Sequence, residues 1–321
     1  MLAYAIKRLV QMAIVLWAVS VIVFLMMSFT GDPVFMVIPI DSTDAEIEQA
    51  RRILGLDRSM PEQYWLFLQN LVQGDFGRSY VFRQPAMDLI LERLPATLEI
   101  VVVAMLIAAV VAIPLGVYAG ANPGKPLSRL IMSGSLVGIS LPGFWVGMML
   151  IFLFAVEWRL LPSSGRGDTV EVLGIETSLL TWDGWTHVVL PSVTLSLGTL
   201  AIILRITRAG MMEVMRQDYI KFARAKGASR KDVLYGHGLR NALIPVVTIF
   251  GLQIGDLIAF ATITETIFAW PGMGKLLVDS IYRADRPVIV VYLMLVALIF
   301  VVINLVVDLV YTAIDPRITV K

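Results

Sequence analysis

The chain is 321 residues long, 58% of them hydrophobic and only 16% charged, a balance that no ordinary soluble domain of this length could hide from water. A formal net charge of +1 supplies no global field for nucleic acid, and the lack of any cysteine excludes disulfides, thiol catalysis and Cys-ligated metals. Lipid is the natural solvent for such a composition.

Lys7 and Arg8 precede an apolar run from Leu9 to Phe29, longer than the apolar part of a cleavable signal, which predicts a retained signal anchor. Residues 30–95 are polar enough to form an extracytoplasmic subdomain, with helices expected near 43–54 and 61–72. Ser42 or Thr43 with Glu46 makes a capping-box pattern, and Gly55 stands where a helix would stop. Five further apolar runs follow, at about 100–121, 130–156, 188–206, 243–263 and 288–310, each long enough to cross a hydrocarbon core of about 30 Å. Backbone polar groups must be satisfied internally in lipid, so these runs are expected to be helices. The predicted fold is therefore an all-α integral membrane protein of about six transmembrane helices. It divides into a first span with its N-terminus at 1–29, the subdomain at 30–95, and a five-helix core at 96–321 with a long loop at 207–242.

Basic residues set the orientation. One side, comprising both termini and the segments 122–129 and 205–242, carries 15 Lys and Arg against four acids, Glu213, Asp218, Asp232 and Asp315. Segments 30–95, 157–187 and 264–287 carry 11 basic and 18 acidic residues. Both termini are accordingly expected in the cytoplasm. Small residues spaced by four at Gly116 and Gly120, Gly134 and Gly138, Gly143 and Gly147, and Gly251 and Gly255 allow close helix approach, within the chain or against a second membrane subunit.

Ionisable residues in spans are expensive, at about 2.5–3.5 kcal/mol on insertion scales. Glu99 and Glu265 fall near predicted outer ends, Asp256 inside the fifth span and Asp308 near the inner end of the sixth. Asp256 either lines a translocation path or satisfies a contact between helices. Asp308 and Asn304 read as structural. Two intramembrane aspartates would also serve an aspartyl protease, but the sequence from Gly251 to Asp256 lacks a Gly-x-Gly-Asp motif.

Positive charge concentrates between the fourth and fifth spans. Asp218 is expected as an N-cap, Tyr219, Phe222 and Ala223 share a helical face, Arg224 and Lys226 occupy the last turn, and Gly227 ends the helix. Ser229 with Asp232 opens a further helix towards the membrane. The first, short helix either lies on the anionic inner leaflet or docks into a groove on a cytoplasmic partner.

This loop resembles the ATPase-docking loop of the dipeptide and oligopeptide ABC importer permeases, a family that also includes nickel and glutathione importers. The resemblance is carried by Tyr219, Ala223-Arg224-Ala225-Lys226-Gly227, Leu239-Arg240-Asn241-Ala242 and Ile244-Pro245. It extends to Gly31-Asp32-Pro33, Leu54-Gly55-Leu56-Asp57, Gly74-Asp75-Phe76-Gly77, Glu265 with Phe268, Trp270-Pro271-Gly272-Met273-Gly274, and the ending from Asn304 to Pro316. The order matches the first-permease (B-type) branch. The Glu-Ala-Ala triplet of ABC importers at large is replaced by Lys221, Phe222 and Ala223, as in the peptide branch.

The resemblance implies an ABC importer permease fold in a bacterial inner membrane, moving short peptides or a related solute. Asp218, Tyr219, Phe222, Ala223, Arg224, Ala225, Lys226 and Gly227 become a coupling helix. Asp256 becomes a candidate for the translocation path, and Glu265, Trp270, Pro271, Gly272 and Gly274 a candidate outer gate or binding-protein contact, against the plainer reading of a turn with an interfacial tryptophan anchor. The implied partners are a second homologous permease, two ATPase subunits, an extracytoplasmic substrate-binding protein and membrane lipid. No cofactor is expected in this chain. Gly272-Met273-Gly274-Lys275-Leu276 is no Walker A motif, so ATP and Mg belong on the partner subunits, and no catalytic or metal site is expected here. The rival is an ion-coupled secondary transporter, which would need repeated topology and several buried ionisable groups.

Overall fold

The computed structural model describes residues 2–29, 34, 38 and 42–314. Gly31-Asp32-Pro33, Asp315 and the end of the Asn304 to Pro316 stretch lie outside them. Among the described residues, five helices are long and apolar enough to cross a membrane, covering Ile6–Phe29, Ala86–Ala121, Trp182–Val214, Asp232–Ile267 and Arg286–Asp308. The sixth expected span is broken. Pro126–Ser140 and Gly143–Glu157 meet at 103°, because Pro142 has no N–H to donate and holds Leu141 in an extended conformation (φ −87°, ψ 132°). A continuous third helix over 130–156 is thus replaced by two limbs, the second ending in a π-helical stretch at Ile151–Glu157.

In chain order the helices are α1 (Leu2–Phe29), α2 (Asp44–Ile53), α3 (Met60–Gln73), α4 (Ala86–Ala121), α5 (Pro126–Ser140), α6 (Gly143–Leu150), α7 (Trp182–Val214), α8 (Asp218–Ala225), α9 (Arg240–Ile267), α10 (Met273–Tyr282) and α11 (Arg286–Ile314). A short antiparallel hairpin absent from the sequence reading, β1 (Val170–Val172) with β2 (Ile175–Thr177), lies between α6 and α7. The apolar runs are only the middles of the helices. α4 begins at Ala86 and α7 at Trp182, where the Thr181 hydroxyl accepts the Gly184 N–H at 3.0 Å.

The chain forms two compact units. In the first, residues 1–94 and 273–302, Val23, Val290 and Met294 make a core against Phe67, Leu71 and Phe76. The rings of Phe24, Tyr64 and Phe67 lie 5.2–6.3 Å apart, and Ser20 shares a 2.9 Å hydrogen bond with the Tyr64 hydroxyl, so α3 folds against α1. Both outer helices are capped by their own sequence. Thr43 and Glu46 form the expected capping box, Ser59 and Glu62 form another, and Gly55 takes the left-handed conformation (φ 67°) that follows α2.

In the second unit, residues 95–272 and 303–321, α7 packs on α5, α6 and α9 around Ala108, Ala112, Ile203, Leu204 and Val246. Close helix approach depends on glycine at two positions of α4. A Cβ on Gly116 would sit 2.6 Å from Cβ of Thr207, and one on Gly120 2.7 Å from the Arg208 carbonyl oxygen. These glycines serve packing within the chain, as does Gly251 against Val307, whereas a Cβ on Gly134 or Gly143 would meet nothing within 4 Å among the described residues.

Candidate functional site

α8 projects from the basic loop as about two turns of helix, anchored by one buried side chain. Ile220 is fully buried, while Tyr219 and Phe222 are 42% and 61% exposed. Asp218 is not the N-cap. Gln217 holds the extended cap conformation (φ −68°, ψ 150°) and makes no side-chain cap bond. Asp218 is instead the first helical residue, where its carboxylate accepts from Lys221 Nζ at 2.8 Å and complements the positive helix end. That contact holds the Asp218 carboxyl below its ordinary value.

The helix stops as expected. Gly227 has φ +83°, and its N–H and that of Ala228 donate to the carbonyls of Arg224 and Ala223 at 3.0 and 3.1 Å. Lys226 Nζ lies 4.6 Å over the Phe222 ring, and Ala223 is half-buried. Ser229 caps the next helix through the Asp232 N–H at 3.1 Å, and Asn241 donates to the Tyr219 hydroxyl at 2.7 Å. A π-helical stretch at Asp232–Leu239 carries that helix on into α9. The aromatic face is therefore fixed in position by the root of a membrane span and still open to a partner.

Within the membrane part of this unit, a cleft of about 470 Å³ runs between α5, α6, α7 and α9. Its lining is mostly apolar, with Thr194, Thr264 and a polar set of Thr199, Gln253, Asp256 and Arg205. Thr199 donates to Gln253 at 3.0 Å and Gln253 to Asp256 at 2.8 Å. The Thr199–Gln253 bond sets the register of two antiparallel helices. From it Asp256 lies three residues towards the acidic side and Arg205 six towards the basic side, so the two charges are separated by about 13 Å along the helix axes. Arg205 was not singled out from sequence, since it also counts among the flanking positive charges.

The residues of the candidate outer gate are mostly inside the chain. Trp270 is fully buried and donates its indole N–H to the Ala96 carbonyl at 2.8 Å, so it is not an interfacial anchor. Glu265 is also fully buried and accepts from Thr97 at 2.6 Å. A Cβ on Gly272 would collide with the Glu265 carboxylate. Pro271 is partly exposed, and Gly274 is buried in α10. Close in sequence to Ala96 and Thr97, at the start of the second unit, Glu99 is held by Arg166 at 2.8 and 2.9 Å and by the Ser178 N–H and hydroxyl at 2.8 Å. Sequence reasoning flagged Glu99 but not its partners, which lie 67 and 79 residues away.

Family comparison decides what this scaffold is. Residues 112–320 match the model of the binding-protein-dependent transport system inner membrane component, and residues 1–101 match its N-terminal companion. The chain belongs to that family. It is 41% identical over 322 residues, the full length of both chains, to the glutathione transport system permease protein GsiC of Escherichia coli K12 and to that of Shigella dysenteriae. Among solved structures, the inward-facing MetNI methionine ABC transporter aligns with a TM-score of 0.57 at 19% identity, covering 71% of this chain and 97% of that one, a likeness of fold. The protein is thus a permease subunit of a bacterial ABC importer, residing in the inner membrane and working with ATPase and substrate-binding partners. Its family membership makes it a transport component, which excludes the protease and secondary-transporter readings.

Proposed function

We propose that this permease passes short peptides, or a glutathione-like tripeptide, into the cytoplasm as one of two homologous permeases above two ATPase subunits that carry the ATP and Mg. α8, from Asp218 to Gly227, is the coupling helix. The observation that carries this reading is the exposed Tyr219 and Phe222 face, seated by buried Ile220 and tied to α9 through Asn241. Movement imposed on that face by nucleotide-driven ATPase closure is delivered directly to a span. The cleft beside α9 supports the solute class. A carboxylate and a guanidinium at opposite ends of a mostly apolar trough, with an amide and a hydroxyl between them, suit an extended zwitterion of a few residues.

The test is to co-express the chain with its partner permease, ATPases and binding protein, and to measure solute-stimulated ATP hydrolysis and uptake. Phe222→Asp is expected to lose stimulated hydrolysis at least tenfold or to prevent ATPase assembly. Gly227→Val, which must hold a β-branched residue at positive φ, is expected to weaken coupling. An assembled Phe222→Asp transporter with unchanged coupling would return α8 to the membrane surface.

A further inference from the structure

The first span is exposed along most of its length, with only 11% of its most apolar window buried inside the chain. In the first unit, around the end of α1, a cavity of about 830 Å³ is bounded by α3, the 74–85 loop and the start of α11. Its walls differ in character. Phe24, Met27, Phe67 and Val290 continue the apolar surface of the spans, whereas Arg78, Arg83 and Arg286 face the cavity with a single acid, Asp75, among its described lining. Asp75 is engaged by the Gly77 N–H at 2.9 Å.

The arginines are placed by a built loop. Buried Asp285 accepts the Ser79 hydroxyl and the N–H groups of Tyr80 and Val81, the last two at 3.1 and 3.4 Å. Arg83 holds a left-handed backbone (φ 56°) closed by its N–H to the Ser79 carbonyl at 3.0 Å, and Arg78 donates to the Arg83 carbonyl at 2.7 Å. One buried carboxylate thereby fixes the loop that carries Arg78 and Arg83 to the residue next to half-buried Arg286. All three belong to segments that the charge distribution places on the outer side.

A second groove, about 330 Å³ and almost wholly apolar, shares Leu71 and Phe76 with the first cavity and continues down α1 and α11 past Leu16, Met294 and Leu298. Leu16 to Phe24 spans about 12 Å along the helix. A cationic chamber at the water boundary that opens into an apolar trough along a lipid-facing helix has the polarity profile of a phospholipid, and it offers on the outer side the chemistry by which basic pockets between spans bind anionic headgroups on the cytoplasmic side. A soluble anion would leave the trough unused.

We propose that this pocket binds an anionic phospholipid of the outer leaflet. Its phosphate sits among Arg78, Arg83 and Arg286, one acyl chain follows Phe24, Met27 and Val290, and the other follows the groove below Leu71 and Phe76. The site is independent of the solute carried.

The experiment uses the assembled transporter, purified in neutral detergent and stripped of lipid. Retained lipid is measured by mass spectrometry, and thermal unfolding is measured after adding phosphatidylglycerol, phosphatidylcholine of the same chains, or inorganic phosphate. Wild type is expected to retain phosphatidylglycerol at least tenfold over phosphatidylcholine and to be stabilised by it alone. An Arg83→Gln/Arg286→Gln variant should lose that preference. Leu298→Trp, which fills the trough and leaves the charges, should lower lipid retention without changing the response to phosphate. Equal retention of both lipids would overturn the proposal, as would stabilisation by phosphate alone, which assigns a simple anion site. So would an arginine variant that keeps its lipid but loses stimulation by the binding protein, which assigns the rim to protein docking.

Discussion

Removing the Arg166 guanidinium tests how the outer loop is held to α4. Glu99 and Arg166 side chains are only 6% and 10% exposed, and the carboxylate accepts four hydrogen bonds, two from Arg166 and two from Ser178. Arg166 also donates to the Glu176 carbonyl at 2.7 Å, which joins the β-hairpin to the same point. Arg166→Ala leaves Glu99 buried with half of its partners, and breaking a buried pair from one side costs about 3–5 kcal/mol. Glu99→Leu with Arg166→Leu removes both charges together, an exchange that is often near neutral for a buried pair, and leaves the two Ser178 donors without an acceptor and the Glu176 carbonyl without its Arg166 donor. The double variant should therefore be more stable than Arg166→Ala, a non-additivity opposite to that of two independent contacts. Thermal and denaturant unfolding of the purified transporter, followed by tryptophan fluorescence, measures the order. An Arg166→Ala protein within about 0.5 kcal/mol of wild type, or a double variant less stable than the single, would refute the pairing as a structural anchor.

Two further outcomes follow from the geometry. Gly272→Ala should destabilise by about 1–3 kcal/mol through overpacking, because its Cβ meets a Glu265 carboxylate that is itself buried and bonded to Thr97. Glu265→Asp, which withdraws the carboxylate by one methylene, should restore part of the loss in the same unfolding assay. Acid should loosen α2 and α3 first. The Thr43 N–H and hydroxyl hold the Glu46 carboxyl low, and the Ser59 hydroxyl and N–H do the same for Glu62. Folded values below the unfolded ones mean that this stabilisation is complete above the ordinary glutamate range and disappears as pH falls through the folded values. Protection against hydrogen exchange at residues 44–53 and 60–73, taken relative to the intrinsic exchange rate at each pH, should fall on acidification, and Glu46→Gln with Glu62→Gln should show lower protection already at neutral pH.

Properties local in the chain were legible from the residues themselves. Lipid-length apolar runs determined where the helices cross, the basic loops determined their orientation, and the Thr43–Glu46 cap and the Gly227 stop followed from short-range hydrogen bonding and backbone freedom. The break at Leu141-Pro142 was visible as a proline, but hydropathy averages across such a step and cannot report a 103° bend. Asp218 and Gln217 differ by one residue, and only the backbone angle decides which of them caps α8. Trp270 looked like an interfacial anchor because amphipathic aromatics favour that boundary, yet burial depends on what folds over it, and the Ala96 carbonyl that receives its N–H is 174 residues away. Arg166, Thr97 and Asp285 carry no motif. Their meaning depends on partners 67 to 206 residues distant, and such pairings exist only once helix packing has brought separate segments together, since a lone charge in the chain records no partner.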